Sequence, residues 1–481
     1  MSSTQDRTLS KSLGNIDALA LGFGAMIGFG WVVLTGGWLE SAGTLGAALA
    51  MAVGGGIMAV VGLTYAELTG SMPKAGGEHN FILRALGPRP SFLGSWAITG
   101  GYVTIVAFEA VALPRTVEYI VPGMSRVPLW TVAGFEVNLT WALVGVAAAI
   151  LLTWINIRGV KQAGVVQTFT VLFLLAIGAL LLLGSFTGGE AQNMQPLFTG
   201  GMAGFFAVLV AVPFLFIGFD VIPQSAEEVN IPARKIGSLV VLAVVLATAW
   251  YVMVVLTTST AMPAGELAAA DIATADGFGA LFGSELMSKV LIAGGIAGIL
   301  TSWNSLLLGA SRLIYSLARS GMLPEWFADL HPKYRTPHKA LMFIGGISMI
   351  APFFGAEMLG WLVDSGAPSI IVAYFLVSVT FLVLRRREPA MDRPLRVGGA
   401  GRGGELIGWA SVILTAALFS LYMPGMPASL SWEPWLIFAA WWALGAVFFF
   451  RVPAGIPAGE DAEAKVLAAV RARSGAGAAA R

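Results

Sequence analysis

The chain has 481 residues with a mean hydropathy of +0.80; 57% of them are hydrophobic and 11% are charged. An average soluble protein carries about 25% charged residues, so this composition excludes an ordinary soluble domain. The formal net charge of +1 gives no reason to expect a nucleic-acid partner, and the absence of cysteine excludes disulfides, thiolate metal sites and a disulfide-linked partner.

Apolar runs of about 20 residues, each long enough to cross a hydrocarbon core of roughly 30 Å, recur along the chain. The sequence therefore indicates an all-α polytopic membrane protein without a signal peptide or a soluble domain. We predict twelve transmembrane helices, at residues 16–40, 44–69, 91–113, 139–157, 162–184, 203–226, 236–261, 287–318, 340–356, 359–384, 405–424 and 432–451.

The positive charges predict the orientation. If the N-terminus is cytoplasmic, all 28 lysines and arginines lie on the cytoplasmic side except Arg115, Arg126 and Lys289. This distribution follows the positive-inside rule. We therefore expect a multi-pass protein of the cell inner (cytoplasmic) membrane, with both termini in the cytoplasm and an even number of spans.

Two of the predicted spans are interrupted by residues that weaken a helix. Residues 27–29 read Ile-Gly-Phe in the first span, and residues 217–219 read the same between Pro213 and Pro223 in the sixth. Glycine costs about 1 kcal/mol and proline about 3 in a helix interior. Freed backbone groups at membrane depth are tolerated only inside protein or along a cavity. Two interrupted spans at corresponding positions in the two halves of a chain predict the binding site of a secondary transporter.

The positions of the breaks predict an internal repeat. Each half has five spans, so the first span enters from the cytoplasm and the sixth enters from outside. The two halves are therefore inverted, and their breaks meet near the midplane. Half-helix ends offer N–H groups to an anion and carbonyls to a cation, which suits a zwitterion. The predicted divisions are an N-terminal segment at 1–15, repeats at 16–184 and 203–385, spans eleven and twelve at 405–451, and a cytoplasmic tail at 452–481 that is a solvated helix or a disordered end.

Several motifs carry a family resemblance. In chain order they read GAMIGFG at residues 24–30, YAEL at 65–68 with PKAGGE at 73–78, FIGFD at 216–220 with Glu227 and Glu228, and GASR at 309–312 with ARSGMLP at 318–324. Over roughly residues 12–390 the chain resembles the amino acid–polyamine–organocation superfamily of transporters. The resemblance implies the 5+5 inverted-repeat fold of the bacterial leucine transporter, with broken helices 1 and 6 and alternating access to a central site.

The resemblance also implies which residues bind the substrate. It places the substrate carboxylate at Met26 and the amides near Phe29 and Gly30, and it makes Phe214 an aromatic gate. Phe29 departs from the family pattern, which has a small or hydroxylated residue there, and plain helix packing is the alternative for both phenylalanines. Backbone carbonyls of the sixth span would hold the ammonium group. The full predicted set is Met26, Ile27, Gly28, Phe29, Gly30, Phe214, Leu215, Ile217 and Gly218.

Three acidic residues lie within predicted spans, where a charge is costly and is a functional candidate. Glu109, Asp220 and Asp364 are candidate proton or amine sites. The alternatives are that Asp220 binds amides freed by the break and that Glu109 pairs with Arg115. At the cytoplasmic ends, salt bridges with arginines are expected for Glu67, Glu227 and Glu228.

The eighth span contains a candidate sodium site. Residues 298–302 resemble the sodium-site stretch of the leucine transporter, which implies Gly298, Thr301 and Ser302 as contributors together with carbonyls of the first break. Bonding of the hydroxyls to their own helix is the alternative. Residues 165–184 lack the lysine that some family members place in the fifth span. Na+ and H+ both remain open as the coupling ion, and no other cofactor or metal is expected.

The function predicted from these features is secondary active transport of an amino acid by alternating access, as ion-coupled symport or exchange. The alternative is transport of an organic amine or polyamine, which the intramembrane acids and Phe29 favour. The expected partners are the small-molecule substrate and the lipid bilayer. An enzyme is not expected, because the sequence contains no constellation for nucleophilic or metal catalysis.

Overall fold

The computed structural model describes residue 11 and residues 13–479. Most of the predicted N-terminal segment at 1–15, and the last two residues of the predicted tail, lie outside this part of the chain. The helices are α1 Asn15–Met26, α2 Gly30–Ser71, α3 Glu78–Leu86, α4 Pro88–Ile120, α5 Leu139–Arg158, α6 Val160–Thr187, α7 Gly201–Leu209, α8 Val212–Leu215, α9 Val221–Gln224, α10 Ala233–Ser259, α11 Ala264–Ala269, α12 Ala273–Phe282, α13 Glu285–Arg319, α14 His338–Ile350, α15 Met358–Arg387, α16 Gly403–Ser420, α17 Trp432–Phe449 and α18 Ala462–Ala479.

Shorter elements connect these helices. An antiparallel hairpin pairs β1 (Pro128–Val132) with β2 (Phe135–Asn138) between α4 and α5. The hairpin and the helices α3, α11 and α12 were not predicted, because the hydropathy pattern identifies only segments long enough to span a membrane. The 3₁₀ helices lie at Ala191–Met194, Ala226–Glu228, Glu325–Ala328 and Ala351–Phe354.

The apolar helices confirm a multi-pass membrane protein. Within the described residues, nine helices are long and apolar enough to cross a membrane, and three shorter apolar helices lie at Asn15–Met26, Gly201–Leu215 and His338–Phe354. The nine are Gly30–Ser71, Pro88–Ile120, Leu139–Arg158, Gln167–Thr187, Ala233–Ser259, Glu285–Arg319, Met358–Arg387, Gly403–Ser420 and Trp432–Phe449.

The first two predicted spans are divided differently in the structure. Helix α1 ends at Met26, and α2 runs from Gly30 to Ser71 across a kink at Gly43, where φ is 72°. The segment before α7 packs into this kink, since the Thr44 N–H donates to the carbonyl oxygen of Pro196 at 3.2 Å. A β-carbon on Gly43 would lie 2.7 Å from that oxygen. Glycine at this position therefore allows the close approach as well as the kink.

The sixth predicted span is also not continuous. Where one helix was expected over 203–226, the chain forms α7, α8 and α9, with residues 216–220 between the last two. Pro213 lies in the first turn of α8, a position that proline tolerates, and Gly218 adopts a φ of 138°. The predicted break is therefore present, and it divides this segment into short helices.

Buried ion pairs lie at the side that we predict to be cytoplasmic. Of the three acids expected to form them, Glu67 and Glu228 do so. Glu227 lies near Arg319 without an ion pair in the described part of the chain. The pairs join Glu67 to Arg385 and Arg393, and Glu228 to Arg312 at 2.6 Å.

The C-terminal helix α18 packs one face against the protein; the sequence left a solvated helix or a disordered end open here, and most of the described part of the segment is helical. Val466 is fully buried, and Val470 lies so close to Gly321 that a β-carbon there would be 3.0 Å from its side chain. Glu463 is 4.0 Å from Arg319. Valines four residues apart lie on one face of a helix. From this spacing in the sequence, the packing of the tail could have been predicted.

A buried histidine joins three segments on this side. His79 of α3 is fully buried, with Nε2 2.7 Å from the Ser320 hydroxyl and Nδ1 3.0 Å from the Ser91 hydroxyl. Burial, aided by the charge of Arg319, lowers the pKa of His79 to about 3. The ring is therefore neutral at pH 7.

Acidification is expected to destabilise the protein through His79. Between its unfolded pKa of about 6.5 and its folded pKa, the unfolded chain binds the extra proton, so stability falls as the pH falls, by about 1.4 kcal/mol per unit. Between pH 6.5 and 5 we expect the wild type to lose stability relative to His79→Asn by about 1.4 kcal/mol per unit, seen as a growing difference between their melting temperatures. His331→Asn, at a half-buried loop position, is the control. An equal slope in both variants would contradict the assignment.

Candidate functional site

The two helix breaks contact each other. A β-carbon on Gly218 would lie 2.5 Å from the Ala25 β-carbon and 3.1 Å from both the Gly22 oxygen and the Met26 nitrogen. Gly22 of α1 is likewise close to the second break, because a β-carbon on Gly22 would lie 2.6 Å from the Ile222 side chain. Glycine at these positions lets α1 and the α8–α9 segment approach closely. The structure thus brings together the two motifs that the sequence analysis paired.

A tyrosine from a third helix bridges the breaks. The Tyr251 hydroxyl of α10 donates to the Met26 carbonyl oxygen at 2.6 Å and lies 3.5 Å from the Leu215 carbonyl oxygen. Both carbonyls belong to helices that end there, so their oxygens lack the usual intrahelical donor. Sequence analysis missed Tyr251, because a single tyrosine in an apolar span carries no signal of a contact so distant along the chain.

The ends of the interrupted helices provide unpaired backbone groups of both kinds. Helix α2 begins at Gly30, and the first N–H groups of a helix have no intrahelical acceptor. In the described residues, no backbone N–H reaches the carbonyl oxygens of Phe214 and Ile217. The N–H groups suit an anionic group and the carbonyls suit a cationic one.

Glu109 lies at the first break and not beside Arg115. The Ser302 hydroxyl donates to its Oε1, and the Phe29 backbone amide faces the carboxyl group. A β-carbon on Gly28 would be 2.9 Å from Oε1. The carboxyl is buried, and its Oε2 has no hydrogen-bond partner within the described part of the chain. The expected alternative of a pair with Arg115 is therefore wrong.

The candidate sodium residues lie beside the same break. The Gly28 oxygen packs so tightly on Gly298 that a β-carbon there would be 2.7 Å from it. The Thr301 hydroxyl donates to the Gly298 carbonyl at 2.8 Å. The Ser302 hydroxyl lies 3.1 Å from that carbonyl in addition to its contact with Glu109. These bonds match the alternative in which the hydroxyls satisfy their own helix.

A chain of amide side chains connects α1, α6, α13 and α5. Gln167 donates to the Ala20 carbonyl oxygen at 3.0 Å and accepts from Asn304 at 3.0 Å, and Asn156 donates to Asn304 at 2.9 Å. A β-carbon on Gly24 would lie 2.5 Å from the Gln167 amide nitrogen. A neutral amide of the fifth predicted span therefore contacts the helix that precedes the first break. Sequence analysis did not single out these residues.

The two phenylalanines have different environments. Phe214 contacts the ring of Phe108 at 5.6 Å between centroids, and its ring would lie 3.6 Å from a β-carbon on Gly366. It thus lies between α4 and α15, at the break. Phe29 points elsewhere, since a β-carbon on Gly295 of α13 would be 3.2 Å from its ring. The packing interpretation fits Phe29, and the gate remains a prediction for Phe214.

The remaining candidate acids are separate from Glu109. Asp220 is fully buried, and its Oδ1 accepts a hydrogen bond from the Gly218 N–H at 2.7 Å, which is the expected contact with an amide freed by the break. Asp364 of α15 is half-buried and faces Tyr422. The structure does not bring these three acids into one cluster.

Comparisons with known proteins add independent information. A family model described as amino acid permease matches residues 13–455. The branched-chain amino acid permease of Bacillus subtilis (strain 168) is 26% identical over 451 residues, covering 92% of this chain and 93% of that protein. The methylthioribose transporter of the same organism is 26% identical over 452 residues, covering 93% and 94%. Asc-type amino acid transporter 1 of Mus musculus is 28% identical over 421 residues, covering 84% and 76%.

Gly218→Ala is expected to disrupt the contact between the breaks. The new β-carbon would overlap the Ala25 side chain in a backbone conformation that disfavours it. The combined overpacking and strain would cost about 2–6 kcal/mol. We expect a large loss of folded yield in fluorescence-detected size exclusion.

Gly37→Ala is the matched control for this variant. Gly37 lies in α2, and a β-carbon there would have nothing within 4 Å, so the change should stabilise the helix by up to about 1 kcal/mol. Equal melting temperatures for the two variants would contradict the close approach of the breaks.

Proposed function

Because this chain belongs to the amino acid permease family, we propose that it is a secondary active transporter that moves an amino acid across the cytoplasmic membrane by alternating access. The family and the relatives named above are permeases and transporters, so the chain is not an enzyme. The observation that supports the proposal most directly is the contact between the two breaks, which gathers unpaired N–H groups and carbonyls inside a multi-pass protein.

The fold proposed for this activity has twelve spans in a 5+5 inverted repeat followed by a peripheral pair. Helix α1 and the first part of α2 would form span one, and α7, α8 and α9 together would form span six. The short helix α14 would be span nine. Under this assignment both termini are cytoplasmic, and the two breaks lie at corresponding positions of oppositely oriented halves.

The proposed binding site uses both kinds of backbone group. The amides at the start of α2, near Phe29 and Gly30, would bind the substrate carboxylate, and the carbonyls of Phe214 and Ile217 would bind the ammonium group. Phe214 would close over the bound substrate from its position beside Phe108. Phe29 would shape the site only through its backbone, since its ring packs on α13.

We further propose that the coupling ion is a proton carried by Glu109. This carboxyl faces the amide of Phe29, where a substrate carboxylate would bind, so two negative charges would meet there unless one group is protonated. The Thr301 and Ser302 hydroxyls donate to protein acceptors, which leaves their oxygen lone pairs open to a cation, so sodium is the alternative that the transport assay has to distinguish. Symport and exchange are both compatible with this arrangement.

A ligand panel tests the substrate class. We expect amino acids to raise the melting temperature of the purified protein, and the corresponding decarboxylated amines and methylthioribose to leave it unchanged. A ligand that binds only the folded state at 100 times its Kd adds about 2.7 kcal/mol. Phe214→Leu should weaken this effect by about tenfold in ligand concentration, or 1.4 kcal/mol. Gly37→Ala should respond as the wild type does.

Other outcomes of the panel are equally informative. Stabilisation by amines alone would replace the amino acid proposal with the amine alternative and move the anchor to an acidic side chain. Stabilisation by methylthioribose alone would overturn both. A response to amino acids that is unchanged in Phe214→Leu would remove the gate role while leaving the substrate class in place.

Proteoliposome transport tests the coupling. We expect an inward proton gradient to drive accumulation of the stabilising amino acid, and Glu109→Gln to reduce this accumulation at least tenfold while substrate exchange without a gradient persists. Thr301→Ala should retain proton-driven uptake. Uptake that follows a sodium gradient, and is lost in Thr301→Ala but not in Glu109→Gln, would assign the coupling to the sodium site instead.

A further inference from the structure

Two buried carboxyl groups lie beside α9, away from Glu109. Asp220 immediately precedes α9, and Glu78 belongs to the first turn of α3; both side chains are fully buried. The Gly218 N–H donates to Asp220 Oδ1 at 2.7 Å, and the Gln224 amide donates to Glu78 Oε2. Among the described residues, no backbone N–H or amide side chain donates to the other carboxyl oxygens, Asp220 Oδ2 and Glu78 Oε1.

Three tyrosines from other helices surround these carboxyls. Tyr65 of α2 faces Glu78, Tyr102 of α4 faces Asp220, and Tyr374 of α15 lies near both acids. The rings of Tyr65 and Tyr374 pack edge to face, 5.7 Å apart. All three are fully buried, and the Tyr65 and Tyr102 hydroxyls approach Glu78 and Asp220 as hydrogen-bond partners.

Unpaired polar atoms remain in this cluster. A buried polar group without a partner costs about 1–3 kcal/mol, and among the described residues the Tyr374 hydroxyl and the side-chain oxygen Oε1 of Gln224 lack one. Polar groups clustered in this way are ordinarily satisfied by buried water, each molecule making about three hydrogen bonds. The cluster is therefore a polar site built between five helices.

The two acids have no positively charged partner among the described residues. In the described residues, neither Glu78 nor Asp220 has an ion pair. The charged and titratable groups nearby have other partners. Arg312 of α13 pairs with Glu228, and His79, next to Glu78, bonds to serines. Burial, together with the charge of Asp220, raises the pKa of Glu78 well above its usual range.

We propose that Glu78 and Asp220 form a proton-binding site, in which the two carboxyls hold at least one proton between them at neutral pH and the Tyr65 and Tyr102 hydroxyls hydrogen-bond to them. Where two buried carboxyls lie near each other without a cation, desolvation and mutual repulsion favour the state in which one of them is protonated. Tyrosine hydroxyls beside carboxyls favour a proton over a metal ion as the occupant, because each phenol can donate to a carboxylate oxygen. The site does not depend on the identity of the transported substrate.

The site joins a loop to the second break. The loop before α3 docks on α9, where the Gly76 N–H donates to the Gln224 carbonyl oxygen at 3.3 Å and a β-carbon on Gly77 would lie 3.1 Å from Pro223. Loss of the shared proton would leave two negative charges across this contact. Repulsion between them would separate α3 from α9, so the proton holds the loop against the break.

Infrared spectroscopy of the full-length protein in deuterated buffer tests the proposal without a substrate. We expect the absorption of protonated carboxyl groups at neutral pH to decrease by about one group in the double variant Glu78→Gln, Asp220→Asn. Glu40→Gln, an exposed position on α2, should leave it unchanged. Equal absorption in the wild type and the double variant would overturn the proposal.

Two measurements keep the test decisive if the double variant folds poorly. Tyr65→Phe and Tyr102→Phe should each shift the frequency of the protonated-carboxyl band, because each phenol contacts the pair; no shift in either would contradict the site. In addition, the bound proton should contribute a slope in which the stability of the wild type falls as the pH rises from about 4.3, the ordinary Glu pKa, to 7, since over this range the folded state holds a proton that the unfolded state has released. Glu78→Gln should flatten this slope, and an unchanged slope would contradict a shared proton.

Discussion

The backbone groups released where a membrane helix is interrupted constrain the rest of this structure. Hydrocarbon cannot hydrogen-bond them, so the protein must satisfy them or reserve them for a ligand. Here the two breaks are pressed together, with Gly218 against Ala25, and Tyr251 satisfies the Met26 carbonyl. Each of these contacts requires a small residue or a single polar side chain in an otherwise apolar helix. The glycines of both segments are therefore needed for the close approach of the two breaks as much as for flexibility.

The breaks themselves could be predicted from the sequence, because glycine and proline disfavour helices wherever they occur. Residues 27–29 and Gly218 interrupt helices as expected. The partners of the breaks could not be predicted in this way. Gln167 and Tyr251 reach the first break from distant helices, and nothing in local hydropathy marks them. Glu78 was recognised only as part of a loop motif, because its proximity to Gln224 depends on how a short unpredicted helix docks.

Each break has an acidic side chain, but the two acids are held differently. Glu109 comes from a separate helix and approaches the amides that begin α2, so it can leave them without unfolding the break. Asp220 belongs to the second break and bonds to the Gly218 amide two residues away. A carboxyl tied to its own backbone is suited to stabilise a conformation. One that approaches from another helix is suited to compete with a ligand, which is why we propose Glu109 as the coupling residue.

The distribution of charge separates rigid from adjustable parts of the protein. The buried acids Glu67 and Glu228 are neutralised by arginines, and breaking a buried pair of this kind would cost roughly 3–5 kcal/mol. Glu109, Asp220 and Glu78 have no such partner among the described residues, so a proton can change their charge without breaking an ion pair. Conformational change driven by protonation would therefore act at the two breaks and the loop docked on α9, while the paired acids keep the surrounding helices in register.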